Sequence, residues 1–284
     1  MPIDSFQREI LKLLASSRNP ESFVAGGVPI NRAGPRYSKD IDIFLDRMER
    51  VSEAADRDAA TLQASGYTVL WSRRLPTIVG AEITKDGNKT KLEWVADSDF
   101  RFFPAVPDPE LGYVLSIVDL AVNKLMAAVG RREPRDIVDL LTLHSGYIRL
   151  GTTAWAAVEV APGFTPEGIL AELRRNSRYS AADYRMLDAS PPIDPDDVAR
   201  RVRLMIDEAE RFVASMPSDK AGRIFLLNGR VVEPDPARLM TYVEHLPHWS
   251  EHWPVSPEIE RAMLERYLTG TSPPSANESR GGCE

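Results

Sequence analysis

Two short runs hold residues that could do chemistry together. Ser22-Phe-Val-Ala-Gly-Gly-Val-Pro-Ile30 contains a double glycine, and soon after it Ser38-Lys-Asp-Ile-Asp-Ile-Phe44 contains two carboxylates separated by one residue. Strand side chains repeat every second residue, so Asp40 and Asp42 share one face while Ile41, Ile43 and Leu45 offer apolar contacts to the other. Two carboxylates held that close repel unless a cation bridges them. A divalent metal bound by carboxylates and bridging to substrate phosphates is the usual arrangement for phosphoryl and nucleotidyl transfer. Gly26 and Gly27 lack Cβ atoms, which lets backbone amides approach a phosphate closely. A surface strand can carry Asp-Ile-Asp by itself. With the glycine pair upstream, the two runs read as a phosphate cradle beside a metal pair.

Nucleotidyl transfer also needs positive charge on the departing pyrophosphate. Lys124, Arg131 and Arg135 are available for it, and Arg135 opens an Arg135-Asp136-Ile-Val-Asp139 block. Taken alone, Lys124 is a snorkelling surface lysine and Arg135-Asp136 a helix salt bridge. In this order, Gly26-Gly27, Ser38-x-Asp40-x-Asp42, Lys124 and the Arg-Asp-x-x-Asp block resemble the AbiEii/MenT group of bacterial nucleotidyltransferase toxins, in the DNA polymerase β-like superfamily. The likeness runs over roughly residues 20–145.

The resemblance implies a toxin of a type IV-like toxin-antitoxin system. It implies a nucleotidyltransferase that uses Mg²⁺ to move NMP from an NTP to the 3′ end of tRNA, blocking translation, and that a cognate antitoxin neutralises. Asp40, Asp42, Lys124 and Asp139 are then the catalytic candidates, and Gly26, Gly27, Ser38, Arg131 and Arg135 hold the nucleotide. The superfamily completes its metal site with a third acid on a neighbouring strand. Glu93 is the candidate beside Asp40 and Asp42, with Asp97 and Asp99 as alternatives and a solvent-facing role for Glu93 left open. Family members carry Ser or Thr after the glycine pair, whereas Val28 and Pro29 stand here, so only backbone contacts carry over. In some MenT-like systems the antitoxin is a kinase acting on a hydroxyl residue two positions before the first Asp, which is Ser38 in this chain. Two other readings remain: a non-catalytic nucleotide- or RNA-binding protein with a decayed transferase fold, and NMP transfer to a protein or small-molecule hydroxyl.

The elements that must position these residues follow from periodicity. Apolar spacing predicts helices over 4–17, 49–65, 116–129 and 133–143, the last with Pro134 in its first turn. Strands are expected at 22–25, 67–75, 78–85 and 89–96, with Asp86-Gly87 turning the last pair. Beyond residue 150 come proline-broken helices at 152–160, 166–175, 194–215, 235–245 and 256–268, interrupted by a hairpin around Asn228-Gly229. The expected fold is α/β (α+β), with an N-terminal nucleotidyltransferase-like mixed sheet flanked by helices and a mainly helical C-terminal lobe. Its catalytic domain spans 1–148, its helical lobe 149–270 and a disordered tail 271–284, with the active site between the lobes.

Composition sets outer limits. A chain of 284 residues, 43% hydrophobic and 27% charged, has the make-up of an ordinary globular protein. No apolar run reaches a membrane span and the N-terminal residues lack the order of a secretory signal, so a cytoplasmic protein without membrane contact is expected. The single cysteine, Cys283, excludes an internal disulfide and a cysteine-based zinc site. His144, His245, His248 and His252 read as packing residues. A net charge of −7 argues against bulk attraction to nucleic acid. Local basic groups at Arg32, Arg36 and Lys39, Arg73-Arg74, Lys85, Lys89 and Lys91, and Arg131-Arg132 are nevertheless expected to line one cleft that favours an RNA acceptor. Arg174-Arg175-Asn-Ser-Arg178-Tyr179 and Arg200-Arg201-Val-Arg203 fit a solvated helix face or RNA-backbone contact equally.

Overall fold

In a computed structural model, which describes residues 3–32 and 35–250, the Asp4 carboxylate accepts from Gln7 N at 2.6 Å and starts α1 (Ser5–Leu14). Phe6, Ile10, Leu11 and Leu14 recur at helical spacing on its buried face. The chain continues through β1 (Ser22–Val24), α2 (Gly27–Ile30), β2 (Asp40–Leu45), α3 (Val51–Ala64), β3 (Thr68–Leu75), β4 (Ile78–Lys85), β5 (Asn88–Ala96), β6 (Val106–Asp108) and β7 (Gly112–Val114). These strands form one mixed sheet in the order β3-β4-β5-β2-β1-β7-β6. β2 runs antiparallel to β1 and parallel to β5, while β7 joins β1 in parallel. Asp86 and Gly87 adopt φ of 50° and 78°, the left-handed pair that a two-residue hairpin loop between β4 and β5 requires.

Burial along β2 alternates as its sequence does: Ile41, Ile43 and Leu45 are buried, Asp40 and Asp42 partly exposed. Ile41 and Ile43 pair in register with Leu92 and Trp94 of β5, and residues in register share a face. Trp94 Nε1 donates to Asp58 of α3 at 2.8 Å, so this is the helix-covered face and the acids lie on the other. Asp58 also receives the guanidinium of Arg18 at 2.7 Å, both side chains being buried. The three-way contact fixes the end of the first helical segment, α3 and β5 to one another. Burial pulls the Arg18 pKa below its ordinary value against the charge and hydrogen bonds of Asp58.

These segments, up to Asp99 and again over Pro104–Ser116, make one compact unit. Phe100–Phe103 and the chain from Ile117 make the other. It contains α4 (Ile117–Gly130), α5 (Pro134–Gly146), α6 (Leu150–Val160), α7 (Pro166–Asn176), α8 (Ala181–Arg185) and α9 (Pro195–Ser215). After them come β8 (Ile224–Leu227), β9 (Arg230–Val232) and β10 (Val243–His245). α4 and α5 therefore cluster with the helices that follow them. α9 lies against α5, α6 and α7. Its crossing with α6 is close enough that a Cβ on Gly151 would sit 2.7 Å from the Phe212 ring.

Phe100–Phe103 is tied into this unit by its backbone. Phe102 N and Phe103 N donate to the Asp119 carboxylate at 2.8 and 3.1 Å, and His245 Nε2 donates to Phe102 O at 2.7 Å while its ring stacks on Phe103. His144 accepts from Leu150 N at 3.1 Å, and burial pushes its pKa down to about 4, so both imidazoles act in packing. The segment 235–245 differs from the expected helix. A short 3₁₀ turn over Pro236–Thr241, broken by Arg238 at φ −128°, leads into β10, which pairs with β8 to extend the Asn228-Gly229 hairpin to three strands. The anchored His245 holds that end extended. The helix expected at 256–268, His252 and the tail 271–284 lie outside the described residues. Among the described residues no helix is long and apolar enough to cross a membrane.

Candidate active site

The first unit places a glycine turn against the paired acids. Gly26 has φ +69° and ψ −140°, a conformation that residues with a Cβ avoid. A Cβ built there would lie 2.5 Å from Asp42 Oδ2. A Cβ on Gly27 would collide with the guanidinium of Arg36 and lie 3.2 Å from Ser38 Oγ. The glycine pair lets the chain turn close to all three side chains, and at Gly26 the positive φ adds a backbone reason for glycine. The turn is registered by backbone bonding, since β1 pairs Val24 with Ile43 and Ala25 N donates to Asp42 O at 3.2 Å. Ser38 Oγ donates to Asp40 O at 3.0 Å, fixing the approach to β2.

Two details refine the expected cradle. Val28 is buried in α2, so this position serves the core. Arg36, by contrast, is buried beside Gly27, with Nη1 donating to Tyr37 O at 2.9 Å. Sequence placed it only within a basic cluster. Its guanidinium lies directly against the glycine turn.

Glu93 stands in register with Asp42 on the adjacent parallel strand. Its carboxylate is engaged by Arg73 and by Lys91, the latter at 3.0 Å. Among the described residues no three His, Cys, Asp or Glu side chains gather closely enough to hold a metal by themselves. The donors still suit Mg²⁺, which is commonly held by one or two carboxylates with substrate phosphates and water completing its shell. Asp40 and Asp42 supply hard oxygen donors on one face, and the backbone of the glycine turn runs directly against Asp42.

In the second unit, Lys124 and Asp139 meet around a residue that was not among the candidates. Lys124 Nζ lies 3.0 Å from Asp136 Oδ1 and 2.9 Å from Asp139 Oδ2, with both carboxylates fully buried. Arg131 adds a bidentate contact to Asp136 at 2.8 and 3.1 Å. Burial raises the Asp136 pKa, but the Arg131 hydrogen bonds and the Lys124 charge outweigh it and hold the carboxyl below its ordinary value. Asp136 is thus the hub that joins α4 to α5. Arg135 pairs instead with Glu133, at 3.7 Å.

Six of the other basic groups are paired with acids. Arg32 binds Asp108, Arg73 binds Glu93, Arg74 binds Asp56, and Lys85, Lys89 and Lys91 face Glu9, Glu82 and Glu93. Cross-strand and helix–strand pairing spends these charges, and sequence spacing alone does not reveal it.

Comparison with protein families finds a match over residues 13–210 to the model described as nucleotidyl transferase AbiEii toxin, type IV TA system. No curated protein matches. Among solved structures the chain is similar to MenT4, a nucleotidyltransferase toxin from Mycobacterium tuberculosis H37Rv, at 14% identity and TM-score 0.48 over 75% of this chain and 83% of that one. It is also similar to the RNA terminal uridylyl transferase Cid1, at 12% identity and TM-score 0.28 over 86% of this chain and 72% of that one. The family match covers well over half of the chain and carries the assignment.

Replacing Gly26 by Ala is expected to cost about 1–3 kcal/mol of stability from backbone strain, with a further loss from crowding Asp42. Gly66, at φ +83° with nothing within 4 Å of its Cβ position, isolates the strain. Urea denaturation of Gly26→Ala and Gly66→Ala tests this; equal losses would show that Asp42 does not press on the turn. For Asp136, the lowered native pKa means that the stability it provides is present above the unfolded value near 3.8 and is lost as pH falls below it. Unfolding followed from pH 6 downward should therefore show a steeper acid loss in the native sequence than in Asp136→Asn, and parallel curves would sink the assignment.

Proposed function

This chain belongs to the AbiEii family of nucleotidyltransferase toxins, and we propose that it moves NMP from an NTP to the 3′ end of tRNA in the cytoplasm, with Mg²⁺. The observation that carries the reading is the Gly26-Gly27 turn crowded onto Asp42, Arg36 and Ser38. Free backbone amides and a buried guanidinium beside paired carboxylates suit a triphosphate that shares a cation with the protein. Asp40 and Asp42 are the residues that would hold Mg²⁺, with Glu93 as a third ligand once it exchanges Arg73 and Lys91 for metal. Bound there, Mg²⁺ supplies Lewis acidity at the α-phosphate and lowers the pKa of the acceptor hydroxyl.

The protein's own groups do the rest. The glycine amides, Ser38 and Arg36 orient the β- and γ-phosphates. Lys124 is the cation assigned to the departing pyrophosphate, with Asp136 and Asp139 holding its ammonium in place, and Arg131 and Arg135 are assigned to the same phosphates. A tRNA 3′ end is the acceptor and a cognate antitoxin the inhibitor on the strength of family membership. In this reading a kinase-type antitoxin acts on Ser38. Its phosphate would add a charge of about −1.5 to −2 beside Asp40 and Asp42 and so oppose NTP binding.

Incubation of the purified protein with total tRNA, Mg²⁺ and each α-³²P-labelled NTP in turn should label tRNA from one nucleotide. Asp42→Ala should abolish that label, a loss of about a hundredfold or more for a residue of this role. No label on tRNA with any NTP would overturn the tRNA reading and turn attention to protein or small-molecule hydroxyls. Intact-mass measurement after co-expression with the product of the neighbouring gene should show one added phosphate that Ser38→Ala removes; an unchanged mass would reject the kinase partner.

A further inference from the structure

The two basic stretches that the sequence left open meet in the second unit. α7, the link 177–180, α8 and α9 line an open pocket of about 320 Å³. That is the lower end of the range for small-molecule sites. Buried Tyr184, Val202 and Ile206 give it an apolar interior with Tyr179, and the exposed Arg178 and Arg203 stand at its rim. Their charges are not spent as those on the sheet are. Arg174, in the same wall, is held by Asp207 and Glu210 at 2.6 and 2.9 Å, whereas Arg178 and Arg203 have no acidic partner among the described residues. In a chain with a net charge of −7, two unneutralised guanidinium groups on one apolar cavity mark a place for an anion.

Tyr179 shows which kind of anion. Its hydroxyl is buried without a hydrogen-bond partner among the described residues, an unusual state for a polar atom. Its ring packs edge-on against Tyr184 at 5.8 Å, and the Arg132 guanidinium lies 5.9 Å from its centroid. Arg132 in turn donates to Arg178 O at 3.0 Å, adding a third cation beside the aromatic pair. The nearby acids have partners: Asp183 accepts from Ser180, Asp136 is bound by Lys124 and Arg131, and Glu133 faces Arg135 at 3.7 Å. Cations at a rim above aromatic walls suit a ligand that is negative at one end and flat and weakly polar at the other.

We propose that this cavity binds a nucleotide unit, its phosphate on Arg178 and Arg203 and its ring against Tyr179. The unit is either one residue of an RNA strand or a free nucleotide. Guanidinium–phosphate pairs and base–aromatic packing supply the affinity. The site goes beyond the transfer reaction and does not rest on it, because binding is measured without turnover.

The test uses the full chain and fluorescence anisotropy with a fluorescein-labelled single-stranded RNA oligonucleotide at low salt. Arg178→Glu/Arg203→Glu should weaken binding about tenfold or more and flatten its salt dependence. Arg211→Glu, on α9 but outside the cavity, should change it less than about twofold. Tyr179→Phe, which removes only the unpartnered hydroxyl, should give a smaller but measurable loss. Displacement of the RNA by millimolar AMP would show that a free nucleotide suffices. Failure of AMP to compete, with the double-variant loss intact, would assign the cavity to the RNA strand. Native-like RNA binding by the double variant, or an equal loss in Arg211→Glu, would overturn the proposal. Because the labelled-NTP assay with Asp42→Ala reads transfer and not affinity, either conclusion can fail without the other.

Discussion

The absence of one side-chain carbon, at Gly26, is the constraint on which the candidate site depends. The chain leaves β1 in a left-handed turn, and the space a Cβ would take is already filled by the Asp42 carboxylate. That proximity is set from both sides. β1 and β2 are locked in register by Val24 and Ile43, and the next bond runs from Ala25 N to Asp42 O. The alternation of β2 then decides the rest, because the isoleucines that anchor it to the helix-covered face oblige Asp40 and Asp42 to take the other. A chemical pair is thus placed by an apolar pair.

Each unit also contains a buried charge network, and the two solve the same problem differently. Removing an ion from water costs several kcal/mol, which only a close partner with good hydrogen bonds offsets. Arg18 and Asp58 do this through a single guanidinium nitrogen, Nη2, which reaches both carboxylate oxygens, with an indole N–H added, a structural pin between helices and sheet. Lys124 shares its charge between two buried carboxylates, one of which also binds Arg131. Two positive and two negative groups leave that cluster close to neutral. Lys124 is therefore held in one geometry by its two carboxylates.

Much of this was legible in the residues. Period-two alternation located β2 and β5, Asp86-Gly87 marked the β4–β5 hairpin and Asn228-Gly229 the β8–β9 hairpin, and Pro134 opened α5. Asp136 was less legible. On a helix it differs in no local way from a surface acid, and its role appears only when Lys124 and Arg131 arrive from the preceding helix and loop. The same limit hid the pairing of the basic residues, since Arg32, Arg73 and Arg74 find their acids many positions away. β6, β7 and β10, at three residues each, are too short for periodicity to register. Neighbouring strands and the anchored His245 define them instead.

The chain path also has a consequence for how the molecule withstands cutting. It leaves the sheet after β5, lends Phe100–Phe103 to the second unit, and returns to add β6 and β7 beside β1. A nick just before Phe100 would give two pieces, neither of which owns the whole sheet: β1 to β5 on one, β6 and β7 on the other. Strand pairing between β1 and β7 would then be shared by two polypeptides. The covalent order of the chain and the cooperative order of its sheet are interleaved, which makes this joint a natural place to split the protein into complementing fragments.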